Sequence, residues 1–361
     1  MGNHISEERK EMDNQIEIRI ENKEKDSFRT FDDAGTIFRN NPIEMLRFIR
    51  HASAGDVGEI KPNIYREITK NAVLLETMSR ESIRDEFNAM LTSPHPVTAM
   101  ELLRKTTLMH YIIPELEETY EMTQNHYHFG TVWEHSMKVV DTINSTDLSL
   151  RMSALLHDIG KISTREVTED GKVHFIGHQY KSAKMAETIL RRLEYSKNFI
   201  RQVSFLVHHH METKAWKDDL SGMKSKHLRK LQFTCGEKER FLQLMMLIDA
   251  DNKSHAKDHC LPNQVGHILD RSSAMEDEGT ALFNYQPPFS AKEVMRIKGV
   301  ETNSAVKECL QYLQKLAYVK PIRTRERWIK LLLGYKTENN EAKGLRGDRK
   351  APHQKRKDNY L

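Results

Sequence analysis

The stretch LSLRMSALLHDIGK, residues 148–161, sets a His-Asp pair inside an apolar helical pattern. Its apolar residues recur every three or four positions, at Leu148, Met152, Leu155 or Leu156, and Ile159. That period is typical of one face of an α-helix. The pattern therefore predicts that His157 and Asp158 lie at or near a buried helix face.

The same helical period extends outward in both directions. It recurs over residues 83–91, 185–193 and 241–248, and the prolines at 94, 96 and 114 mark helix ends. Ser290 and Glu293 form a capping-box pattern at the start of a late helix. We see no internal repeat and no run of strand alternation in the first helical block. The sequence therefore predicts an all-α fold.

Composition limits the class of protein. The chain has 361 residues, enough for two or three small domains. Its three cysteines, Cys235, Cys260 and Cys309, are far apart and form no C-x-x-C pair, so neither a disulfide framework nor a cysteine zinc site is indicated. No apolar run approaches the roughly 18 residues that span a bilayer. We expect a cytoplasmic protein with no membrane partner.

The pattern divides the chain into five segments. These are a polar N-terminal segment (1–37), a helical neck (38–118), a histidine-rich helical domain (119–275), a C-terminal helical region (276–335) and a basic tail (336–361). From Lys343 to Lys357 there are seven Lys or Arg residues against one acid, which predicts disorder. Contact with RNA phosphates and a purely solubilising role both stay open for this tail.

Half of the 18 histidines lie between His126 and His210. The central set is His135, the pair His157-Asp158, and Asp249 on a later apolar helix. Imidazoles and carboxylates suit a divalent cation such as Mg²⁺, Mn²⁺, Fe²⁺, Co²⁺ or Ni²⁺ and leave room for water and a phosphate oxygen. This spacing predicts a hydrolytic metal site; the alternative is a buried His-Asp hydrogen bond.

Further residues are candidates for catalysis beside Asp158. His178 and His210 could bind a second metal or contact phosphate, and we favour His210 among the three successive histidines because it follows the apolar stripe of Val207. Lys161 could pair with substrate phosphate or be a solvated lysine at a helix end. His126 and His128 could line the mouth of the site or be ordinary loop residues.

Several short motifs, in one order, resemble the body of bacterial tRNA nucleotidyltransferases, the CCA-adding enzymes and related poly(A) polymerases whose tail carries an HD domain. The resemblance covers residues 38–335, most of the chain. The matching stretches are Asn41-Pro42, Met45–Arg50, Pro114–Leu116, Val132–His135, Leu156–Lys161, Phe175–Gln179 and Val207–Met211.

This resemblance implies a metal-dependent phosphatase or 2',3'-cyclic phosphodiesterase activity in the HD domain. It implies a phosphorylated nucleotide or RNA end as substrate, and tRNA or RNA binding through the neck; the basic tail, which lies outside the resemblance, could add RNA contacts. The metal ligands it implies are His135, His157, Asp158 and Asp249, with His178 and His210 nearby.

The sequence departs from the family pattern where nucleotides would be added. The family's nucleotidyltransferase head needs a Gly-rich turn and an Asp-x-Asp pair, which residues before Asn41 do not supply. The neck motif Glu-Asp-x-x-Arg reads Asn-Asn-Pro-Ile-Glu over residues 40–44. Asp to Asn adds donors and Arg to Glu inverts the charge, so we expect nucleotide selection to be lost.

The sequence therefore favours a headless relative that is a metal-dependent phosphohydrolase. Two other hypotheses stay open. One is an RNA-binding or partner-binding module whose metal site is vestigial. The other is a fragment of a CCA-adding enzyme without polymerase activity.

Overall fold

The fold is helical throughout. The computed structural model describes residues 34–55, 60–125, 127, 130–300, 303–319 and 324–337. Within them the chain forms 17 α-helices and one two-stranded sheet, which confirms the predicted all-α class. His126, His128 and residues 338–361 of the predicted basic tail lie outside the described residues.

The α-helices, in chain order, are α1 (Ala34–Asn40), α2 (Glu44–Ala54), α3 (Pro62–Asn71), α4 (Arg80–Leu91), α5 (Pro96–Lys105), α6 (Leu108–Ile112), α7 (Val132–Thr142), α8 (Leu148–Leu156), α9 (Lys161–Thr164), α10 (His178–Arg192), α11 (Lys197–His209), α12 (Ser225–Cys235), α13 (Lys238–Ser254), α14 (Gln264–Asp277), α15 (Ala291–Lys298), α16 (Asn303–Val319) and α17 (Arg325–Gly334). Short 3₁₀ turns cover Ala72–Thr77, Pro114–Thr119 and Lys257–His259.

Two compact units divide the chain. One unit extends to Asp219 and resumes over Leu242–Val265, and the other comprises Leu220–Phe241 and the chain from Gly266 onward. The predicted neck and most of the histidine-rich segment thus share the first unit. The five-segment division stays a prediction.

Side-chain caps fix the helix starts that matter for the site. Thr131 and Glu134 form a capping box at the start of α7, and Asp147 accepts the Leu150 amide at the start of α8. The predicted capping box of Ser290 and Glu293 is confirmed at the start of α15. Each cap satisfies amides that a helix start leaves without an intrahelical acceptor.

Helix α8 lies in the core of the first unit. Every residue from Leu150 to Leu156 is buried, and α11 packs on α8 and on α10. The apolar stripe read from the sequence is therefore part of a helix that is buried on all sides. His157 and Asp158 directly follow α8, so they lie at the end of this buried helix.

Arginines join the neck helices to the histidine-rich helices. Buried Arg151 on α8 donates to the carbonyl oxygens of Leu91 and Ser93 at 2.8 and 2.6 Å. Arg192, at the end of α10, pairs in bidentate fashion with Glu115, with N–O distances of 2.5 and 2.7 Å. Neck and site therefore belong to one packed body.

A small hairpin interrupts the helices after α9. Strands β1 (Glu166–Val167) and β2 (Val173–His174) pair antiparallel, and Gly171 in the turn has a φ of +78°. Two-residue strands are too short to show the alternation by which strands are recognised in a sequence. The hairpin returns the chain to Phe175 and Ile176, just before α10.

The second unit has its own apolar core. Helices α15, α16 and α17 bury Val294, Cys309, Leu313 and Leu332 completely.

Candidate metal centre

Seven buried residues from five parts of the first unit converge to form what we call the His/Asp cluster. His135 lies in the first turn of α7, and His157 and Asp158 directly follow α8. His178 begins α10, and His210 follows α11. Asp251 and His255 come from the end of α13. All seven are at most 9% exposed: His135, His157, Asp158, His178, His210, Asp251 and His255.

Four of the histidines share one orientation. In each, Nδ1 lies 2.6–2.8 Å from a backbone carbonyl oxygen three or four residues earlier. A carbonyl oxygen only accepts, so Nδ1 donates, and Nε2 is left as the nitrogen that could bind a metal ion. Metal-binding histidines are commonly oriented in this way by their second nitrogen. The four are His157, His178, His210 and His255.

The ligating atoms form two groups of three that share one carboxylate. His135, His157 and Asp158 form the first group, and Asp158, His178 and His210 the second, with the ligating atoms of each group within 4.8 Å of one another. Oδ2 of Asp158 lies 3.2 Å from His157 Nε2, and Oδ1 lies 3.2 Å from His178 Nε2. Asp158 therefore bridges the two groups.

The donor set fits a cation. The Nε2 atoms of His135 and His157 are 3.3 Å apart, and so are those of His178 and His210. Because Nδ1 of His178 and of His210 already donates to a carbonyl, the two Nε2 lone pairs face each other. That contact is repulsive unless a proton or a metal ion lies between the two nitrogens.

The structure corrects one predicted ligand. Asp249 points away from the cluster, where its side chain is 29% exposed and pairs with Lys253 at 2.6 Å. Asp251 takes its place, with Oδ1 3.1 Å from His135 Nε2. Positions two apart on a helix face in nearly opposite directions, so only one of these aspartates can reach the cluster. His255, one turn after Asp251, was not predicted.

Each carboxylate of the cluster is neutralised by a lysine. Lys161 donates to Asp158 Oδ2 and to Gln124 Oε1, both at 2.6 Å. Lys214 lies 2.9 Å from Asp251 Oδ2 and 3.2 Å from His255 Nε2. Lys161 is thus buried within the site and is not a solvated lysine at a helix end. Lys214 was not predicted, because nothing in its sequence neighbourhood distinguishes it from other surface lysines.

Burial and charge shift the pKa values in opposite directions. Burial lowers the pKa of His135 and holds that of His210 well below its usual value. It also lowers the pKa of His255 to about 4. At His157 burial again opposes protonation, but the charges of Asp158 and Asp251 outweigh it and raise the pKa. Positive charge is therefore favoured where His157 meets the two carboxylates.

Both carboxyl groups remain ionised. Burial alone would raise the pKa of Asp158, but His157 and Lys161 hold it well below its ordinary value. The pKa of Asp251 is likewise held well below its ordinary value, because Lys214 and His255 outweigh the effect of burial. Anionic carboxylates beside mostly neutral imidazoles are the protonation states that a metal ion requires.

A pocket of about 570 Å³ opens onto the cluster. Its lining includes Asp158, His178, His210, Asp251 and His255, together with Lys161 and Lys214. His135 and His157 do not line it and are fully buried. Small-molecule sites have volumes of this size, so the pocket has room for a small ligand beside the cluster.

Only one of the three successive histidines enters the cluster, as a helical face requires. His210 is buried, whereas His208 packs edge-on against Tyr180 and His209 contacts Glu212 at 3.1 Å.

Close packing explains why a glycine, Gly160, follows the His-Asp pair. A Cβ at this position would lie 2.3 Å from the Ser182 backbone nitrogen, so only glycine lets the loop approach α10.

Two family models match successive parts of the chain, the neck and the region of the His/Asp cluster. Residues 125–259 match the family described as HD domain, and residues 59–119 match the family described as Probable RNA and SrmB- binding site of polymerase A.

Relatives of known activity are tRNA nucleotidyltransferases. The A-adding tRNA nucleotidyltransferase of Deinococcus radiodurans is 29% identical over 242 residues, which are 64% of this chain and 53% of that protein. The CC-adding enzyme of Thermus thermophilus is 31% identical over 139 residues, or 37% and 32% of the two chains. The chain thus spans about half or less of the length of these relatives. The predicted resemblance is confirmed over the neck and the HD domain.

A solved structure shows the same fold. The Bacillus stearothermophilus CCA-adding enzyme, in complex with CTP, superposes with a TM-score of 0.56 at 17% identity, covering 88% of this chain and 66% of that chain. Within the described ranges, no helix has the length and apolar character needed to cross a membrane.

Proposed function

We propose that this chain is a metal-dependent phosphohydrolase that acts on a phosphate monoester or cyclic phosphodiester of a nucleotide or RNA end. One observation carries the proposal: imidazole nitrogens oriented by backbone carbonyls converge with two ionised carboxylates at the floor of an open pocket. Buried lone pairs in this arrangement are costly unless a cation is bound.

The charge of the pocket supports a requirement for metal. Two lysines, Lys161 and Lys214, and three aspartates, Asp158, Asp251 and Asp258, line it, so with neutral histidines the lining carries a net charge of −1. A phosphate group is repelled by such a lining. One divalent cation reverses the sign, and phosphate binding should therefore depend on the metal.

The donor set favours a transition metal. Four or five imidazoles with two carboxylates suit Fe²⁺, Co²⁺, Ni²⁺ or Mn²⁺ better than Mg²⁺, which prefers oxygen ligands. His135, His157, Asp158 and Asp251 would hold one ion, and Asp158, His178 and His210 would hold a second. When bound, such an ion lowers the pKa of water and neutralises charge on phosphoryl oxygens.

The chain's own residues would position and neutralise the substrate. Lys161 fixes Asp158 between the two groups of ligands, and Lys161 is also among the residues that line the pocket. Lys214 pairs with Asp251 and also lines the pocket. In our proposal both ammonium groups stabilise the negative charge that builds on the phosphoryl group. His178 and His210, which line the same pocket, would bind the second ion or contact the phosphate.

Metal analysis of the pure protein, followed by a phosphatase screen, tests this function. The screen covers nucleoside monophosphates, 2',3'-cyclic nucleotides and RNA 3' ends. We expect bound transition metal and hydrolysis, and we expect His157→Ala to lose both while keeping the helical circular dichroism spectrum. A wild-type protein that binds no divalent metal would indicate a vestigial site in an RNA-binding module.

The match of residues 59–119 to an RNA-binding family supports a second role, RNA binding by the neck. We do not expect nucleotide addition. Asn41 and Glu44, which replace the Asp and Arg that the resemblance leads us to expect, are bonded to each other at 3.0 Å. Glu44 also holds Arg47 at 2.9 Å. Incorporation of labelled CTP into a tRNA that lacks its 3' end would contradict this expectation.

A further inference from the structure

Two large apolar side chains are exposed in the same pocket that opens onto the His/Asp cluster. Ile176 is 78% exposed and Tyr127 is 47% exposed, and both line the pocket. Met211 and Leu261 add further apolar lining. Apolar groups left in water beside a charged site commonly mark the place where a ligand is bound.

Tyr127 is held in place by its surroundings. Its backbone nitrogen donates to Asn125 Oδ1 at 3.3 Å, and its carbonyl oxygen accepts from the Ala256 amide at 3.0 Å. Its ring meets His259 edge-on, with 4.8 Å between the ring centroids. An aromatic ring fixed at its edge and partly open to the pocket is suited to stack on a flat partner.

We propose that Tyr127 and Ile176 form a binding surface for the nucleobase of the substrate, and so select a nucleoside phosphate over other phosphate esters. The inference rests on the proposed function, because the phosphate must bind at the cluster. The pocket is larger than a phosphate group requires, and its apolar lining matches the flat faces of a base. Stacking would also tolerate any base, since every base presents such a face.

The test compares two ligands that share ribose and phosphate and differ in the base: adenosine 5'-monophosphate and ribose 5-phosphate. Equilibrium binding to the metal-loaded full chain is measured for both, together with turnover. We expect Tyr127→Ala to weaken binding of the nucleotide by about 5- to 150-fold, the range for loss of one base stack. Binding of ribose 5-phosphate should not change.

Two further variants separate stacking from other effects. Tyr127→Phe keeps the ring and should bind the nucleotide as the wild type does. Tyr180 is a matched control, because it is 59% exposed and does not line the pocket. Tyr180→Ala should leave both ligands unaffected, and all variants should keep the wild-type thermal midpoint.

Several outcomes would overturn the inference. It fails if the wild type binds both ligands equally or binds neither, or if Tyr127→Ala weakens both alike or changes neither. Failure of the proposed function looks different, because the wild type would then bind the nucleotide in preference to ribose 5-phosphate and hydrolyse no ester. In that case the base-binding surface stands without catalysis.

Discussion

Asp158 and Asp251 are ionised carboxylates buried to within 2% exposure, and each depends on one lysine. A buried carboxylate without a partner is strongly destabilising. Lys161 and Lys214 therefore make the cluster stable without metal, and a metal ion would compete with them for the same oxygens. We therefore predict that either Lys214 or a bound metal ion can neutralise the Asp251 carboxylate.

Replacing Lys214 by Met tests this substitution. Without metal, Lys214→Met should lower the free energy of unfolding by about 1–3 kcal/mol, less than for a fully buried pair because the lysine side chain is 23% exposed. With saturating metal the loss should shrink, because a cation then neutralises Asp251. Urea unfolding with chelator and with metal measures both. Lys253→Met, which breaks the exposed pair with Asp249, is the control and should cost under about 1 kcal/mol in either condition.

Asp249 and Asp251, both on α13, provide a matched pair of substitutions that tests which aspartate binds the metal ion. Asp251→Asn should weaken metal binding about tenfold or more, since the amide lacks the charge and offers one oxygen. Asp249→Asn should bind metal as the wild type does, because its side chain pairs with Lys253. Calorimetric metal titration of the two variants decides between them. The reverse result would restore the ligand expected from the sequence.

Among the elements, the neck and the HD domain are joined in part by the ion pair between Glu115 and Arg192. Partial burial of Glu115 opposes its ionisation, but the hydrogen bonds and charge of Arg192 outweigh this and lower its pKa. A lowered pKa in the folded state contributes stability above the ordinary pKa of 4.5. That contribution is lost as the pH falls through the lowered value.

Glu115→Gln should therefore cost about 0.5–1.5 kcal/mol of unfolding free energy near pH 7. The difference from wild type should fade below about pH 4.5 as the unfolded state of the wild type takes up the proton. Urea unfolding across pH 3–7 provides the measurement. Exposed Glu118 is the control position. A gap between wild type and Glu115→Gln that is unchanged by pH would mean that the ion pair does not contribute through its charge.

Sequence reasoning reached the elements and most of the cluster, and its misses have physical causes. Helical period and His-Asp spacing led to α8 and to six residues that the structure brings together: His135, His157, Asp158, Lys161, His178 and His210. The pattern could not decide between Asp249 and Asp251, because α13 is apolar around much of its circumference and its inward face is set by tertiary packing. Lys214 and His255 could not be recognised as site residues from the sequence, because only the fold brings them close to Asp251.

For the whole molecule, the basic tail gives a test of RNA binding that is independent of the cluster. Deleting Lys343–Leu361 should make RNA affinity less dependent on salt, with the log–log slope falling by roughly 0.7–0.9 for each RNA phosphate that the tail neutralises in the full chain. Turnover of a mononucleotide should not change, since its phosphate is bound at the cluster. RNA affinity at several salt concentrations, for both chains, is the measurement. An unchanged slope would leave the tail a solubilising role.

The most direct test of the account is hydrolysis of a nucleotide by the full chain after chelation and again after stepwise return of metal. We predict that chelation abolishes both nucleotide binding and turnover, because the pocket then carries net negative charge. Fe²⁺, Co²⁺, Ni²⁺ or Mn²⁺ should restore both at one or two ions per chain, and Asp251→Asn should require about tenfold or more free metal for the same recovery. Turnover that persists without metal, or metal binding without hydrolysis of any phosphate ester in the screen, would contradict the assignment.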